Sequence, residues 1–168
     1  VVFPAGIYVS GALFFPRGVN LHIEKDATLV SSTNAIDFPI IPTRFEGIER
    51  MWHSAFLNFT HSDNVQVYGE GTIDGKGLEW KNTPFGKYGR PRLLCFTDCP
   101  NGKISGLKMK NQASWCLHIL YTNGFTVDGI NIKAEDYIPS SDGIDIDSSS
   151  NVHVTGVRIA AYDDCISI

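Results

Sequence analysis

Three aspartates near the end of the sequence have a spacing that could form an acid/base site. When residues 161–168 are aligned under residues 140–147 with a shift of 22, Asp142 falls on Asp164, and the isoleucines of the two segments also superpose. Two short strands, each preceded by an aspartate, are therefore predicted to be consecutive copies of one structural unit. If the two copies stack, Asp142, Asp163 and Asp164 meet at one place on the surface.

The expected spacing of these carboxylates suggests a division of chemical roles. Neighbouring parallel strands lie about 4.8 Å apart, so Asp142 and Asp164 should nearly touch, whereas Asp163 should point elsewhere if the chain is extended there. Two crowded carboxylates raise each other's pKa and can share a proton or hold a water molecule. An inverting glycosidase needs an acid and a base about 6.5–9.5 Å apart. The pattern favours Asp142 and Asp164 as the base pair and Asp163 as the acid.

Capping of backbone amides is the alternative role for aspartates at junctions between turns and strands. It is the favoured interpretation for Asp145 and Asp147. For the other three aspartates, their coincidence across two aligned segments favours a chemical role.

A repeated unit positions these aspartates. In each unit a short alternating strand is followed by an asparagine, with a glycine five or six residues after it, at Asn64, Asn101, Asn123 and Asn151. Repeats of about 20–30 residues with several short strands are typical of a parallel β-helix, in which each coil adds one strand to each face. An antiparallel β-sandwich is the less favoured alternative. The aligned strands give two inward apolar columns, Leu57, Leu94, Leu117, Ile144 and Ile166, and Phe59, Phe96, Ile119, Ile146 and Ile168.

The rest of the chain is also predicted to be all-β. Residues 1–30 contain short β-rich runs separated by proline and glycine, and no helix longer than a turn or two is indicated. Segments 31–54 and 75–92 are irregular and are expected to be long surface excursions. We expect one partial β-helix domain over residues 1–168, and we expect the chain to be a fragment with further coils after it, since it stops inside a predicted strand.

Composition excludes several classes of protein. The 168 residues are 43% hydrophobic, carry a net charge of −4 and contain no long apolar run, so neither a membrane span nor a nucleic-acid partner is expected. No signal peptide is recognised. The four cysteines have no zinc-site spacing, and buried free thiols are favoured over disulfides: Cys95, Cys99, Cys116 and Cys165.

Strand alternation also predicts which polar residues face outward beside the acids. Asp145 shares its outward column with Asn58, Cys95, His118 and Ser167, and such a column forms an extended surface suited to a polymer. His118 is a candidate contact for a uronate carboxylate, or a surface histidine with a structural hydrogen bond.

Two further residues are candidates for contact with substrate. Trp115 occupies the position equivalent to Asp142, where it either stacks on a sugar or packs against the protein. Arg92, with Arg90, lies at the end of a loop and is a candidate for lining the cleft.

Several motifs resemble those of the polygalacturonases, the pectinases of glycoside hydrolase family 28. Ser-Ser-Asp-Gly-Ile-Asp at 140–145 resembles the family's Asn-Thr-Asp-Gly-Ile/Phe-Asp, and residues 163–165 resemble its Asp-Asp-Cys. The resemblance implies a right-handed parallel β-helix that hydrolyses α-1,4-galacturonan with inversion and needs no metal or other cofactor. It also implies that Asp163 is the acid and that Asp142 and Asp164 hold the nucleophilic water. Other similar segments are Phe-Pro-Ala-Gly-x-Tyr at 3–8, Gly-Ala-Leu at 11–13, Gly-Thr-Ile-Asp-Gly-x-Gly at 71–77 and Arg-Pro-Arg at 90–92.

The chain departs from the family pattern in two respects. Ser140 and Ser141 replace Asn-Thr, which alters contacts beside the catalytic carboxylate. The family's Gly-His-Gly and Arg-Ile-Lys motifs, which supply a histidine and a cationic grip on substrate, lie beyond the last residue. We therefore expect the full protein to be active and this piece to be weak or inactive.

Two other functions remain open. A calcium-dependent pectate lyase would use the clustered acids as ligands, and a non-catalytic β-helix would only bind polysaccharide. Within the hydrolases, rhamnogalacturonan and xylogalacturonan remain possible substrates, as do endo and exo action. The expected partner is an acidic polysaccharide, and the expected state of the full protein is a monomer. Because pectin is too large to enter a cell, the expected location is secreted or periplasmic.

Overall fold

A computed structural model describes residues 1–82 and 86–168 and shows a right-handed parallel β-helix. Three six-stranded parallel sheets wrap one core, as the repeat predicts. Sheet I contains β1 (Val2–Phe3), β4 (Leu21–Ile23), β9 (Gln66–Gly69), β12 (Gly102–Ser105), β15 (Asn123–Asp128) and β18 (Ser150–Thr155). Sheet II contains β2 (Gly6–Ser10), β5 (Ala27–Ser31), β10 (Thr72–Asp74), β13 (Lys108–Lys110), β16 (Asn131–Lys133) and β19 (Arg158–Ala160). Sheet III contains β3 (Leu13–Phe15), β8 (Leu57–Thr60), β11 (Leu94–Thr97), β14 (Leu117–Leu120), β17 (Ile144–Asp147) and β20 (Ile166–Ser167).

The register of sheet III confirms the two predicted apolar columns from β8 to β17 and the position of Ile166 in β20, whereas Ile168 lies outside β20 and is fully exposed. Leu94 pairs with Leu57 on one side and Leu117 on the other, and the series continues to β17 and β20. Inside the helix the second column begins as an aromatic stack, with ring centroids 4.7 Å apart between Phe59 and Phe96. Such stacking adds to the burial that holds the coils together.

The repeated asparagines mark a turn that needs a left-handed backbone. Asn64, Asn101 and Asn151 have φ between 54° and 58°, a region that asparagine tolerates better than most residues. In the coil between Asn101 and Asn151 the sequence alignment is wrong by one residue, because the left-handed position belongs to Gly124 and not to Asn123.

The segment 31–54 is an ordered excursion rather than an irregular loop. It contains a 3-10 turn (Ala35–Asp37) and an antiparallel hairpin of β6 (Ile40–Phe45) and β7 (Ile48–His53), called the hairpin below. Its two turn residues, Glu46 and Gly47, have φ of 51° and 75°, positive values of the kind found in tight two-residue hairpin turns.

The hairpin changes the environment of the predicted outward column. Asn58, Cys95, His118 and Asp145 are at most 6% exposed, so the prediction that they form an open surface is wrong. The physical reason is contact between the hairpin and sheet III, where Arg44 binds Asp147 at 2.9 Å.

The second excursion, residues 75–92, contains a short helix α1 (Gly77–Lys81) and a 3-10 turn (Gly86–Tyr88); residues 83–85 lie outside the described part. Trp80 of α1 is fully buried and packs edge-on against Phe38, with ring centroids 5.2 Å apart.

All four cysteines have free thiols, as predicted, but Cys165 is exposed, so the expected burial holds only for the other three. Among the described residues, no helix is long and apolar enough to cross a membrane.

Candidate active site

The structure brings together the three aspartates that the sequence analysis singled out. Asp142, Asp163 and Asp164 each place a carboxylate oxygen so that all three atoms lie within 4.8 Å of one another. The prediction that Asp163 points away from the other two is wrong, because residues 162 and 163 form a bend and not an extended strand.

Backbone contacts between coils fix the position of Asp142. The amide of Gly143 donates to the carbonyl of Asp164 at 2.9 Å, and the amide of Cys116 donates to the carbonyl of Asp142 at 3.0 Å. A Cβ atom on Gly143 would lie 2.5 Å from the carbonyl oxygen of Cys165 and 2.7 Å from Cγ2 of Ile159. Only glycine therefore allows the two coils to approach closely enough to stack their aspartates.

Asp142 is the aspartate of the three that is buried, with 7% exposure. Burial raises its pKa to about 6, and the negative charges of Asp163, Asp164 and Glu46 add to the effect. Its Oδ1 atom has no hydrogen-bond partner among the described residues. Asp142 therefore accepts a proton more readily than an ordinary carboxylate.

Asp145 lines one cleft together with Asp142, Asp163 and Asp164. The sequence analysis missed it as a site residue by favouring a capping role. It is 3% exposed, and burial, followed by the charge of Asp142, raises its pKa to about 9, against the opposing effect of Arg92. Its Oδ2 atom caps no backbone amide in the described structure. Asp145 is therefore a neutral carboxylic acid at pH 7.

Asp147 has a lowered pKa instead, because two hydrogen-bonding side chains, His118 and Ser148, and the cation Arg44 surround it. Its pKa is lowered to about 2 by the His118 side chain first, and also by hydrogen bonds from Ser148 and Arg44. Arg44 Nε lies 2.9 Å from Oδ1 of Asp147, and His118 Nε2 lies 3.6 Å from Oδ2. Asp147 therefore remains ionised down to low pH.

Arg92 sets the tautomer of His118. An arginine can only donate, and Arg92 Nη1 lies 2.6 Å from Nδ1 of His118, so Nδ1 accepts this hydrogen bond. The ring hydrogen is then on Nε2, facing Asp147. Arg92 also donates to the Thr43 hydroxyl at 3.0 Å, which ties the pair to the hairpin.

The two polar residues expected to contact substrate do not reach the cleft surface. His118 and Arg92 are 0% and 1% exposed, so the predictions of a surface histidine and of an arginine lining the cleft are corrected. Phe45 of the hairpin and Trp115 cover this region, with their rings stacked at 4.1 Å and the His118 ring edge-on to Trp115 at 5.0 Å. Trp115 itself lines the cleft and is 8% exposed, so most of its surface is used in packing.

The clustered aspartates and Trp115 line a cleft of about 450 Å³, called the acidic cleft below. Six carboxyl groups line it, and no lysine or arginine does so among the described residues; the six are Glu46, Asp142, Asp145, Asp147, Asp163 and Asp164. A polyanionic substrate must therefore find its cationic partners outside this lining.

Comparison with known proteins decides the family. The profile of Glycosyl hydrolases family 28 matches residues 19–168. The chain belongs to this family. A probable polygalacturonase from Vitis vinifera is 30% identical, in an alignment that covers 98% of this chain and 35% of the relative.

Solved structures of polygalacturonases have the same fold. A polygalacturonase from Erwinia carotovora ssp. carotovora superposes with a TM-score of 0.80 at 27% identity, over 95% of this chain and 47% of that one. An exopolygalacturonase from Thermotoga maritima superposes with a TM-score of 0.88 at 23% identity, over 98% and 45% of the two chains. The family 28 chain thus spans less than half the length of these relatives.

Proposed function

We propose that the whole protein hydrolyses α-1,4-galacturonosidic bonds of pectin or polygalacturonate. The observation that carries the proposal is the meeting of Asp142, Asp163 and Asp164, from two adjacent coils, in one cleft of a family 28 chain. The names of the grape and Erwinia relatives support the choice of substrate. Since the chain spans less than half of those relatives, we expect this segment alone to be weak or inactive.

In the proposed reaction Asp163 donates a proton to the glycosidic oxygen as the bond to the anomeric carbon breaks. Asp142 and Asp164 hold a water molecule and accept its proton as the water oxygen bonds to the anomeric carbon from the face opposite the leaving group, which inverts the configuration. The raised pKa of Asp142 fits a base that works in mildly acidic conditions. One oxygen from each of Asp142, Asp163 and Asp164 lies within 4.8 Å of the others, which is shorter than the separation of about 6.5–9.5 Å typical of the acid and base of inverting glycosidases. Inversion is therefore proposed from the family resemblance.

The first test compares the full-length wild-type protein with Asp163→Asn on polygalacturonate in the presence of EDTA. We expect new reducing ends without unsaturated product, and a loss of at least about 100-fold in kcat in the variant, since a general acid contributes on this scale. Asp136→Asn is the matched control, because Asp136 is exposed. Proton NMR of the first product should show the inverted anomer; a retained anomer would contradict the assigned mechanism.

The same assay tests a calcium-dependent lyase. The three clustered carboxylates could ligate calcium, although the ion takes about six to eight oxygen ligands. A lyase also needs a basic residue to abstract a proton, and the described lining of the acidic cleft contains no lysine or arginine. Unsaturated product that disappears with EDTA would establish the lyase and overturn hydrolysis.

The proposal also covers the setting of the enzyme. An acidic polysaccharide is the partner, and the full-length protein acts as a monomer. It is secreted or periplasmic, because its polymeric substrate cannot cross a membrane.

A further inference from the structure

A second cavity of about 210 Å³ adjoins the acidic cleft, between the hairpin and residues 89–90; we call it the hairpin cavity. Glu46 and Ser140 line both spaces and form their shared rim. Beyond this shared rim, the wall of the hairpin cavity contains an aromatic and a basic side chain, Trp52 and Arg50 of β7. A chain of sugars bound in the acidic cleft can thus extend directly into the hairpin cavity.

The aromatic wall of this cavity is held in place. Trp52 stacks on Phe45 with ring centroids 4.3 Å apart, and its Nε1 donates to the carbonyl of Arg90 at 2.9 Å. Gly89 lies against the same ring, and a Cβ there would come within 1.8 Å of Cζ2 of Trp52. An indole fixed in this way, with one face covered by Phe45, is a rigid support for a cationic side chain that lies over its other face, so little order must be gained on binding.

The hairpin cavity differs from the acidic cleft in the charge of its lining, which includes Arg50 and Arg90. Arg50 is exposed, and its guanidinium carbon lies 4.9 Å from the centre of the Trp52 ring. Arg90, in the same wall, binds the backbone carbonyls of Ala113 and Pro139 at 2.6 and 2.5 Å. Arg50 therefore provides a cation for a carboxylate in a region where the adjoining cleft presents only acids.

We infer that the hairpin cavity is a binding subsite for a uronate residue of the substrate chain, in which Arg50, held over the Trp52 ring, donates hydrogen bonds to the carboxylate. The identity of the polymer rests on the proposed function. Glu46 at the shared rim repels a carboxylate, and this orients the uronate group toward Arg50.

The test measures binding and turnover separately. Calorimetry on the full-length protein carrying Asp163→Asn measures the affinity for hexagalacturonate and for its methyl ester, with and without Arg50→Gln. We expect the Arg50→Gln change to weaken hexagalacturonate binding about tenfold, the scale of one charge-assisted hydrogen bond at a partly exposed site, and to leave the methyl ester nearly unchanged. Arg50→Lys should recover part of the loss. Arg158→Gln is the matched control, since Arg158 is exposed on sheet II.

The outcomes separate this inference from the hydrolase proposal. An equal loss for both ligands would show a structural role for Arg50, and no loss, or no measurable binding of hexagalacturonate, would also overturn the subsite. If the protein carrying Asp163 cleaves polygalacturonate with unchanged KM after Arg50→Gln, hydrolysis stands and the subsite falls. If the protein carrying Asp163 does not cleave polygalacturonate, yet binding of hexagalacturonate depends on Arg50 and on the free carboxylates of the ligand, the subsite stands and hydrolysis falls.

Discussion

Replacing Asp145 with asparagine should stabilise the protein, by an amount that grows with pH. Asp145 is 3% exposed and its pKa is raised to about 9. In the unfolded chain this carboxyl loses its proton near pH 4. Between these values the unfolded state binds fewer protons than the folded state, so the free energy of unfolding falls as pH rises, by up to about 1.4 kcal/mol per pH unit. Asparagine is nearly isosteric with the protonated acid and has no such dependence.

The assay is urea unfolding of wild type and Asp145→Asn at several pH values from about 5 to about 8, a range over which the group is protonated only in the folded state. The gap between the two unfolding free energies should widen by about 1 kcal/mol or more per pH unit. Asp136→Asn, at an exposed position, is the control and should show no widening. A constant or shrinking gap would refute the reasoning, since it would mean that Asp145 is ionised in the folded protein.

Two further predictions concern the coils and the hairpin. Gly143→Ala should lower the free energy of unfolding by about 1–3 kcal/mol and reduce kcat, because the added methyl group forces apart the coils that carry Asp142 and Asp164; unchanged stability in urea would contradict this. Arg44→Gln should destabilise the protein at pH 7 through lost contact with Asp147. Because that carboxyl has a lowered pKa, its stabilisation is present above about pH 4 and lost as pH falls toward 2, so the difference from wild type should close in acid unfolding experiments.

The architecture could be predicted because its signals are local and repeated. Register in sheet III follows from aliphatic columns such as Leu94, Leu117 and Ile144, which any stacked arrangement must bury together. The turns are harder to predict from the sequence. Three turn residues, His61, Asp98 and Tyr121, adopt φ near 51° at the ends of their strands, although they share no residue type. In these coils the geometry of the stack imposes the conformation, and no sequence signal identifies it.

The site was predicted only in part because its environment comes from distant residues. Alternation correctly placed His118 on the outer side of β14, yet burial depends on the hairpin, whose contacts with this face no repeat reveals. The alignment of the coils also placed Trp115 beside Asp142. The packing of Trp115 against Phe45, however, joins residues that are far apart in the chain. A tight-turn signal at Glu46 and Gly47, followed by the aromatic Trp52, was the available clue to an ordered hairpin.

The contrast between Asp145 and Asp147 shows how tertiary contacts set the protonation of two acids on one strand. The two side chains belong to one strand, two residues apart, and strand alternation puts them on the same side. Among the described residues, no cation lies at hydrogen-bonding distance from Asp145, which retains its proton. Asp147 loses its proton because it meets His118 of β14 first and also Arg44, which is 103 residues away in sequence. The contacts with His118 and Arg44 together thus leave one neutral acid and one anion in the cleft. The protonation pattern of the cleft is therefore set by tertiary contacts, while the motif supplies only the carboxyl groups.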